Sequence, residues 1–225
     1  MEKVCIFIDS GNFYHLVLRK LNLREIEFDF DGFVKMLANK RQITQDGKRF
    51  YVGTVREIRD GHKNRKAIAN QTKLFSDFIG LGDWTIKTSK LRTRIEKIKV
   101  DDRVANYQRI LNAGVSEIEY RRSREKGIDV KMAVDLIAGA LDNKYDTAII
   151  ISSDADLVPA IDWVRKRLIK KVEYVGFSIA QTSDFEATRP TKTMIYNSDI
   201  QRVLVEADIH PFIKKNLFTS DQTIK

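Results

Sequence analysis

Three stretches of this chain place carboxylates where a fold could bring them together. Val4 to Ile8 is an apolar run closed by Asp9, with Ser10, Gly11 and Asn12 behind it. Thr147 to Ile151 is a second run, followed by Ser152, Ser153, Asp154, Ala155 and Asp156. Asp129 follows Lys126, Gly127 and Ile128 where a helix is predicted to begin. Carboxylates held close together repel unless protonated or bridged by a cation, and an all-oxygen ligand set suits a hard divalent ion. Asp9, Asp129, Asp154 and Asp156 are therefore the expected acidic set, with Mg²⁺ or Mn²⁺ as cofactor. Such an ion activates a water and stabilises a phosphoryl oxygen during in-line displacement, alone or as one of a pair about 3.5–4 Å apart. Phosphodiester hydrolysis by that route needs neither histidine nor cysteine.

Each acid also has a plainer use. Asp129 and Asp156 precede helical stripes, and a helix N-cap is worth about 1 kcal/mol. Taken singly the cap is the better reading; taken together, with Asp9 closing a wholly apolar run, the four favour a metal site. Asn12 could orient Asp9 or a metal-bound water through its amide. Asp135 falls about 140° around its helix from the apolar stripe, which suits a solvated or supporting role rather than a ligand. Ser10, Ser152 and Ser153 read as polar turn residues. Phe13 and Tyr14 read as packing under the first helix, with base stacking as the other use.

Other chemistries fall on particular residues. Cys5 is the single cysteine, so the chain forms no internal disulfide and no thiolate cluster, and a reducing cytoplasm is the expected compartment. His15, His62 and His210 show no metal spacing, and no phosphate-binding glycine loop or nucleophile elbow is present. An aspartyl-phosphate enzyme would want an acid where Gly11 stands.

The elements that must position these acids follow from periodicity. Lys3 to Ile8, Arg49 to Val55, Trp84 to Thr88, Thr147 to Ile151 and Val172 to Val175 read as strands. Phe13, Leu16, Val17 and Leu21 recur at helical spacing. So do Ala67, Ile68, Leu74, Phe75, Phe78 and Ile79, a stripe broken by Gly80 and Gly82. Val130, Ala133, Val134, Ile137, Ala138 and Leu141 predict one buried helix face with Asp129 as its N-cap, and Leu157, Ala160, Ile161, Val164 and Leu168 predict another. Strands alternating with helices imply an α/β fold, a mainly parallel sheet with helices on both faces, whose ligands bind beyond the carboxyl ends of the strands. Leu91 to Tyr120 is mixed, with a helix predicted over Val104 to Leu111. Ile209, Phe212, Ile213 and Leu217 suggest an apolar face packing back on the domain, and fraying is expected from Thr219.

The chain of 225 residues carries a formal charge of +9, enough for a polyanionic partner without requiring one. Its cations crowd into His62 to Lys66, Lys87 to Lys99, Arg121 to Lys126, and Arg165 to Lys171. Lys90, Arg92, Arg94, Arg122, Arg124, Lys126 and Lys131 are the candidate phosphate contacts, with a solvated surface as the alternative. The first apolar run is far too short to span a membrane, and neither secretion nor membrane insertion is expected.

Phe7 to Phe13, Lys126 to Val130 and Ile151 to Pro159 together resemble an NYN domain, a branch of the PIN-like nuclease superfamily. The resemblance runs from residue 3 to about 180. It implies a Rossmann-like, PIN-like three-layer sandwich and a Mg²⁺-dependent ribonuclease site, with Asp9, Asp129, Asp154 and Asp156 as the acidic set beside Asn12. The expected organisation is an NYN/PIN-like domain over 1–180, a basic insert around 87–126, and an extension over 181–225 on the same domain. The expected function is hydrolysis of RNA at Asp-bound Mg²⁺ or Mn²⁺. A non-catalytic RNA-binding or adaptor protein on the same fold, as a homodimer or not, is the second reading. A nucleotide-sugar transferase using Asp154 and Asp156 is the third.

Overall fold

The computed structural model describes residues 1–54, 65–90, 92–124 and 127–214, with the backbone alone at 90, 92–94 and 121–124. β1 (Lys3–Asp9) is the most thoroughly buried strand of its end of the chain, Val4 to Ile8 being inaccessible on both faces, and it leads into a short helix, α1 (Ser10–Phe13), that widens into a π-helical turn over Tyr14–Leu18. α2 (Phe30–Ala38) is followed by β2 (Gln42–Thr54), which begins well before the predicted Arg49 and is kinked where its register against β1 shifts. The predicted strand's last residue, Val55, lies outside the described residues. α3 (Arg65–Leu81) runs through Gly80 and ends before Gly82, whose φ of +76° suits glycine. β3 (Trp84–Lys90) completes this half of the sheet.

Then comes the part that periodicity did not resolve. β4 (Arg92–Lys99) and β5 (Glu117–Arg124) form an antiparallel two-stranded ribbon separate from the main sheet, and α4 (Tyr107–Asn112) joins their far ends. The chain returns through α5 (Ile128–Leu141), β6 (Thr147–Ile151), α6 (Val158–Arg167) and β7 (Lys171–Ser178). It closes with α7 (Lys192–Tyr196), β8 (Ile200–Val205) and α8 (Glu206–Ile209). α2, α7 and β8 were not expected from the periodicity.

The six main strands are all parallel, in the order β3-β2-β1-β6-β7-β8. The chain therefore builds outward from β1 in one direction and from β6 in the other. The crevice between the carboxyl ends of β1 and β6 is the switch point of the sheet. Alternate residues of β1 serve two cores. Val4, Ile6 and Ile8 join Phe13, Phe28, Phe33, Leu74 and Phe78 on one face, while Cys5 and Phe7 join Met132, Leu136, Leu157 and Ile161 on the other. The three-layer sandwich follows.

α5 departs from expectation. Ile128, Met132, Leu136, Gly139 and Ala140 face the sheet, and Val130, Val134 and Leu141 stay 61%, 58% and 57% exposed. The helix is apolar around most of its girth, so spacing alone offered two faces. Asp135 and Gly139 break the tie. Tyr51 Oη donates to Asp135 Oδ2 at 2.9 Å, and a Cβ on Gly139 would sit 2.9 Å from the Tyr145 ring. Gly127 rather than Asp129 occupies the N-cap of α5, with Asp129 in the first turn. The tail packs as expected through Ile209 and through Phe212, whose ring lies 6.2 Å from Phe28 and 5.4 Å from Phe33. Leu217 and everything from Thr219 onward lie outside the described residues.

Phe13 holds the turn after Asp9 in place. Its ring is fully buried 5.2 Å from Phe28, 5.8 Å from Phe30, 5.7 Å from Phe33 and 5.4 Å from Phe177, so it is core and unavailable for stacking a base. We expect Phe13→Ala to cost about 3–5 kcal/mol of unfolding free energy in urea denaturation, the usual penalty for a buried aromatic; a cost under about 1 kcal/mol would contradict this packing.

Candidate active site at the carboxyl edge of the sheet

Asp9 leaves β1 at the switch point with each carboxylate oxygen engaged. Oδ1 accepts from the backbone N–H of Asn12 at 3.0 Å, which makes Asp9 the cap of α1 after all, and Oδ2 accepts from Ser152 Oγ at 3.3 Å. Ser152, itself buried, also accepts from the Asp154 backbone N–H at 3.2 Å. One hydroxyl thus joins the two acid-bearing turns. Asn12 joins them again, because its side-chain oxygen accepts from the Ser153 backbone N–H at 3.0 Å. The side-chain oxygen of Asn12 thus serves the neighbouring turn, and it is the Asn12 backbone N–H that bonds Asp9.

Burial pushes the Asp9 carboxyl above the usual carboxylate range. The bonds from Asn12, Ser152 and the Gly11 backbone pull it back down, and the nearby charge of Asp154 pushes it up again. No ion pair to Asp9 occurs among the described residues. Asp154 caps the 3₁₀ turn Ala155–Leu157, its Oδ1 accepting from the Asp156 N–H at 2.9 Å, so the capping acid is Asp154 and not Asp156.

Asp129 stands in the first turn of α5 and Asp156 in the 3₁₀ turn that Asp154 caps. Each follows or precedes a side chain, Ile128 or Leu157, that belongs to the same core cluster, and neither has a hydrogen-bonded or ionic partner for its side chain among the described residues. The structure nevertheless gathers no group of three or more His, Cys, Asp or Glu side chains that could hold a metal ion, among the described residues. It joins Asp9 and Asp154 through Ser152 and links the side chain of neither Asp129 nor Asp156 to them by a hydrogen bond among the described residues. A pair of carboxylates with amide and hydroxyl oxygens nearby fits Mg²⁺, which keeps several waters and takes one or two protein carboxylates. A largely buried acid without a cationic partner is what such an ion would neutralise.

Two further groups at this edge had no distinctive sequence signal. Ser10 Oγ donates to Glu25, a carboxyl whose pKa is raised by burial and lowered by that bond. Tyr174 Oη lies 3.1 Å from Ser153 Oγ and accepts from the Thr191 N–H at 3.2 Å. Asp135, expected to be solvated or supporting, is held by Tyr51 with Arg49 Nη1 at 3.8 Å and Lys87 Nζ at 3.7 Å.

The candidate phosphate contacts divide. Lys131 donates to the Thr88 carbonyl, tying α5 to the end of β3. Lys126 lies outside the described residues, as do His62 to Asn64. The ribbon register opposes Arg92 to Arg124, Arg94 to Arg122 and Ile95 to Arg121, with no acid in that half. The far half neutralises itself, Lys97 pairing with Glu119 and, at 3.2 Å, with Glu117, while Tyr120 Oη donates to Glu96 Oε2 at 2.8 Å. The arginine half is the end nearest β3 and α5.

The family model described as the NYN domain matches residues 3–193, which takes in all four acids. A solved structure of a protein of unknown function from Vibrio parahaemolyticus is 18% identical, covers 92% of this chain and 95% of that one, and superposes with a TM-score of 0.54, which speaks to the fold alone. A search of the curated proteins finds no match. The chain belongs to the NYN domain family, a family of PIN-like nucleases.

Proposed function

We propose that this chain is a ribonuclease that hydrolyses RNA phosphodiester bonds with a divalent cation, Mg²⁺ or Mn²⁺, held by Asp9 and Asp154. The observation that carries the reading is Asp9, a largely buried carboxyl with a raised pKa whose charged neighbour is another carboxylate. Such a pair is costly to keep ionised unless a cation comes with it. Bound there, the ion would supply a water of lowered pKa and neutralise a phosphoryl oxygen.

The protein's own groups do the rest. Ser152 and Asn12 fix the spacing of the Asp9 and Asp154 turns, and Asp129 and Asp156 stand free to accept a proton or order water at the flanks. The arginine half of the ribbon carries Arg92, Arg94, Arg122 and Arg124 and, with Lys90 beside it, opposes like charge to like charge. Directly opposed like charges in an antiparallel pair are destabilising. A polyanion laid along that half relieves the repulsion, which supports RNA as the partner there.

The sign of the pH dependence follows from Asp9. At low pH it is protonated folded and unfolded, and its burial carries no charge penalty. As pH rises through the raised folded value, the folded state must ionise a buried carboxyl, so the metal-free protein loses stability. We expect Asp9→Asn to melt above wild type at neutral pH without metal and to match it near pH 4. We expect saturating Mg²⁺ to raise the wild-type melting temperature by about 2–4 °C per kcal/mol of binding energy and to leave Asp9→Asn unmoved. An equal Mg²⁺ shift in both proteins would remove Asp9 from the site.

Cleavage tests the function itself. With labelled RNA and DNA oligonucleotides in Mg²⁺, Mn²⁺ or EDTA, we expect metal-dependent cutting of RNA by wild type, and Asp154→Asn to lower its rate at least about a hundredfold with the fold intact. Wild-type turnover in that variant would overturn the assignment. For the ribbon, replacing Lys90, Arg92 and Arg94 together by Ala should flatten the logarithmic salt dependence of single-stranded RNA binding by about 2, at about 0.7 per phosphate contact. An unchanged slope would assign those charges to solvent.

A further inference from the structure

The strap Thr188–Thr191, between β7 and α7, crosses the same edge of the sheet. It is fastened at both ends to the turns that carry the acidic pair. Thr188 Oγ1 donates to the Leu16 carbonyl at 2.7 Å, on the turn that continues from Asn12. Thr191 Oγ1 donates to the Ser153 carbonyl at 3.4 Å, one residue before Asp154, while the Thr191 N–H is held by Tyr174 Oη. Thr188 also bridges to Ile179. Pro190 settles onto β7 where Gly176 leaves room, since a Cβ on Gly176 would lie 3.0 Å from Pro190 Cβ. A segment with this many attachments is a fixed part of the site and not a mere connection.

The strap carries Arg189, and Lys192 follows it. Both are exposed, and neither has a hydrogen bond or ion pair among the described residues. That freedom is notable for an arginine whose strap is bonded one residue from Asp154. Elsewhere Arg41 pairs with Glu173 and Arg165 with Asp199, each at 2.7 Å. The strand order β3-β2-β1-β6-β7-β8 adds the direction. The ribbon grows from β3 on one side of the β1/β6 crevice, and the strap grows from β7 on the other.

We propose that Arg189, with Lys192 beside it, grips the sugar-phosphate backbone of a single RNA strand that lies across the carboxyl edge from the ribbon, over Asp9 and Asp154, to the strap. β3 and β7 are four interstrand gaps apart, about 19 Å at about 4.8 Å each. That distance corresponds to about six stacked nucleotides at about 3.4 Å each. The acidic crevice repels an incoming polyanion, and cations on both sides of it let the strand cross. The inference rests on the ribonuclease reading for the role of the crevice, while the strap itself is tested by binding.

The experiment measures affinity of a fluorescein-labelled single-stranded RNA of about 12 nucleotides by anisotropy, in EDTA so that nothing is cut, between about 50 and about 200 mM NaCl. The proteins are wild type, Arg189→Ala, Arg189→Lys and Lys144→Ala, the last at the opposite edge of the sheet. We expect Arg189→Ala to bind about three- to tenfold more weakly and to flatten the logarithmic salt slope by about 0.7, Arg189→Lys to keep the slope, and Lys144→Ala to match wild type. An Arg189→Ala protein with wild-type affinity and slope overturns the strap proposal, as does an equal loss in Lys144→Ala or an absence of RNA binding by wild type. Cleavage by the same preparations separates the two ideas. RNA binding that depends on Arg189 without any metal-dependent cutting keeps the strap and removes the nuclease, and cutting with an unmoved slope does the reverse.

Discussion

Asp9 sits at the end of a strand whose neighbours are strands on both sides and apolar cores on both faces. Water reaches it only from the carboxyl edge, and the charge within influence is the like charge of Asp154. An ionised carboxylate there is held by neutral donors alone, the backbone N–H groups of Asn12 and Gly11 and the Ser152 hydroxyl. Hydrogen bonds of that kind offset part of the cost of desolvation and like-charge repulsion, and the remainder favours either a proton or a cation. The site is accordingly built around a carboxyl in need of a counter-charge. A structure meant only to cap a helix would have no reason to bury its acid so deeply or to set a second one beside it.

Around that constraint the surrounding elements act as a frame. Ser152 and Asn12 cross-link the turns after β1 and β6, so the separation of Asp9 from Asp154 is set by two hydrogen bonds, both donated from the turn after β6. The aromatic cluster about Phe13 fixes the turn on one side. Leu157 and Ile128, in the opposite core, fix the turns that bear Asp156 and Asp129. Cations on the sheet strands, such as Lys48, Arg49 and Arg202, face carboxylates, and further positive charge is carried on two excursions, the ribbon and the strap, that leave from strands on opposite sides of the crevice. Their division of labour shows in the ribbon. Its far half pairs Lys97 with Glu117 and Glu119, and its near half opposes arginines to one another.

How far the chain could be read depended on the kind of interaction. β1 and β6 were legible because a short, wholly apolar, β-branched run has one good use, and the acids behind them were legible because polar residues at strand ends are seldom idle. α5 was legible as a helix and illegible in its orientation. Its apolar residues nearly encircle it, and the choice of face fell to the Tyr51–Asp135 hydrogen bond and the close approach of Tyr145 to Gly139. The ribbon was hidden for a related reason, since it packs little apolar surface and Ile95 and Ile98 remain 63% and 38% exposed. A strand pair without a buried face leaves no alternation to detect.

By itself, the sequence determined the α/β alternation, the acids at the strand ends, the surplus of basic residues and the family those motifs resemble. All of these are local, since each depends on what a residue is and on its near neighbours along the chain. The tertiary structure decided which acids meet. Asp9 meets Ser152, and through it the turn of Asp154, across 143 positions of chain, and the side chains of Asp129 and Asp156 are left out of that linkage. It also decided that Asn12 serves the neighbouring turn and that Thr191 reaches Ser153. Such contacts come from strand order and from the register between β1 and β6, which are set by how two cores pack against one sheet and leave no periodic trace in the residues that result.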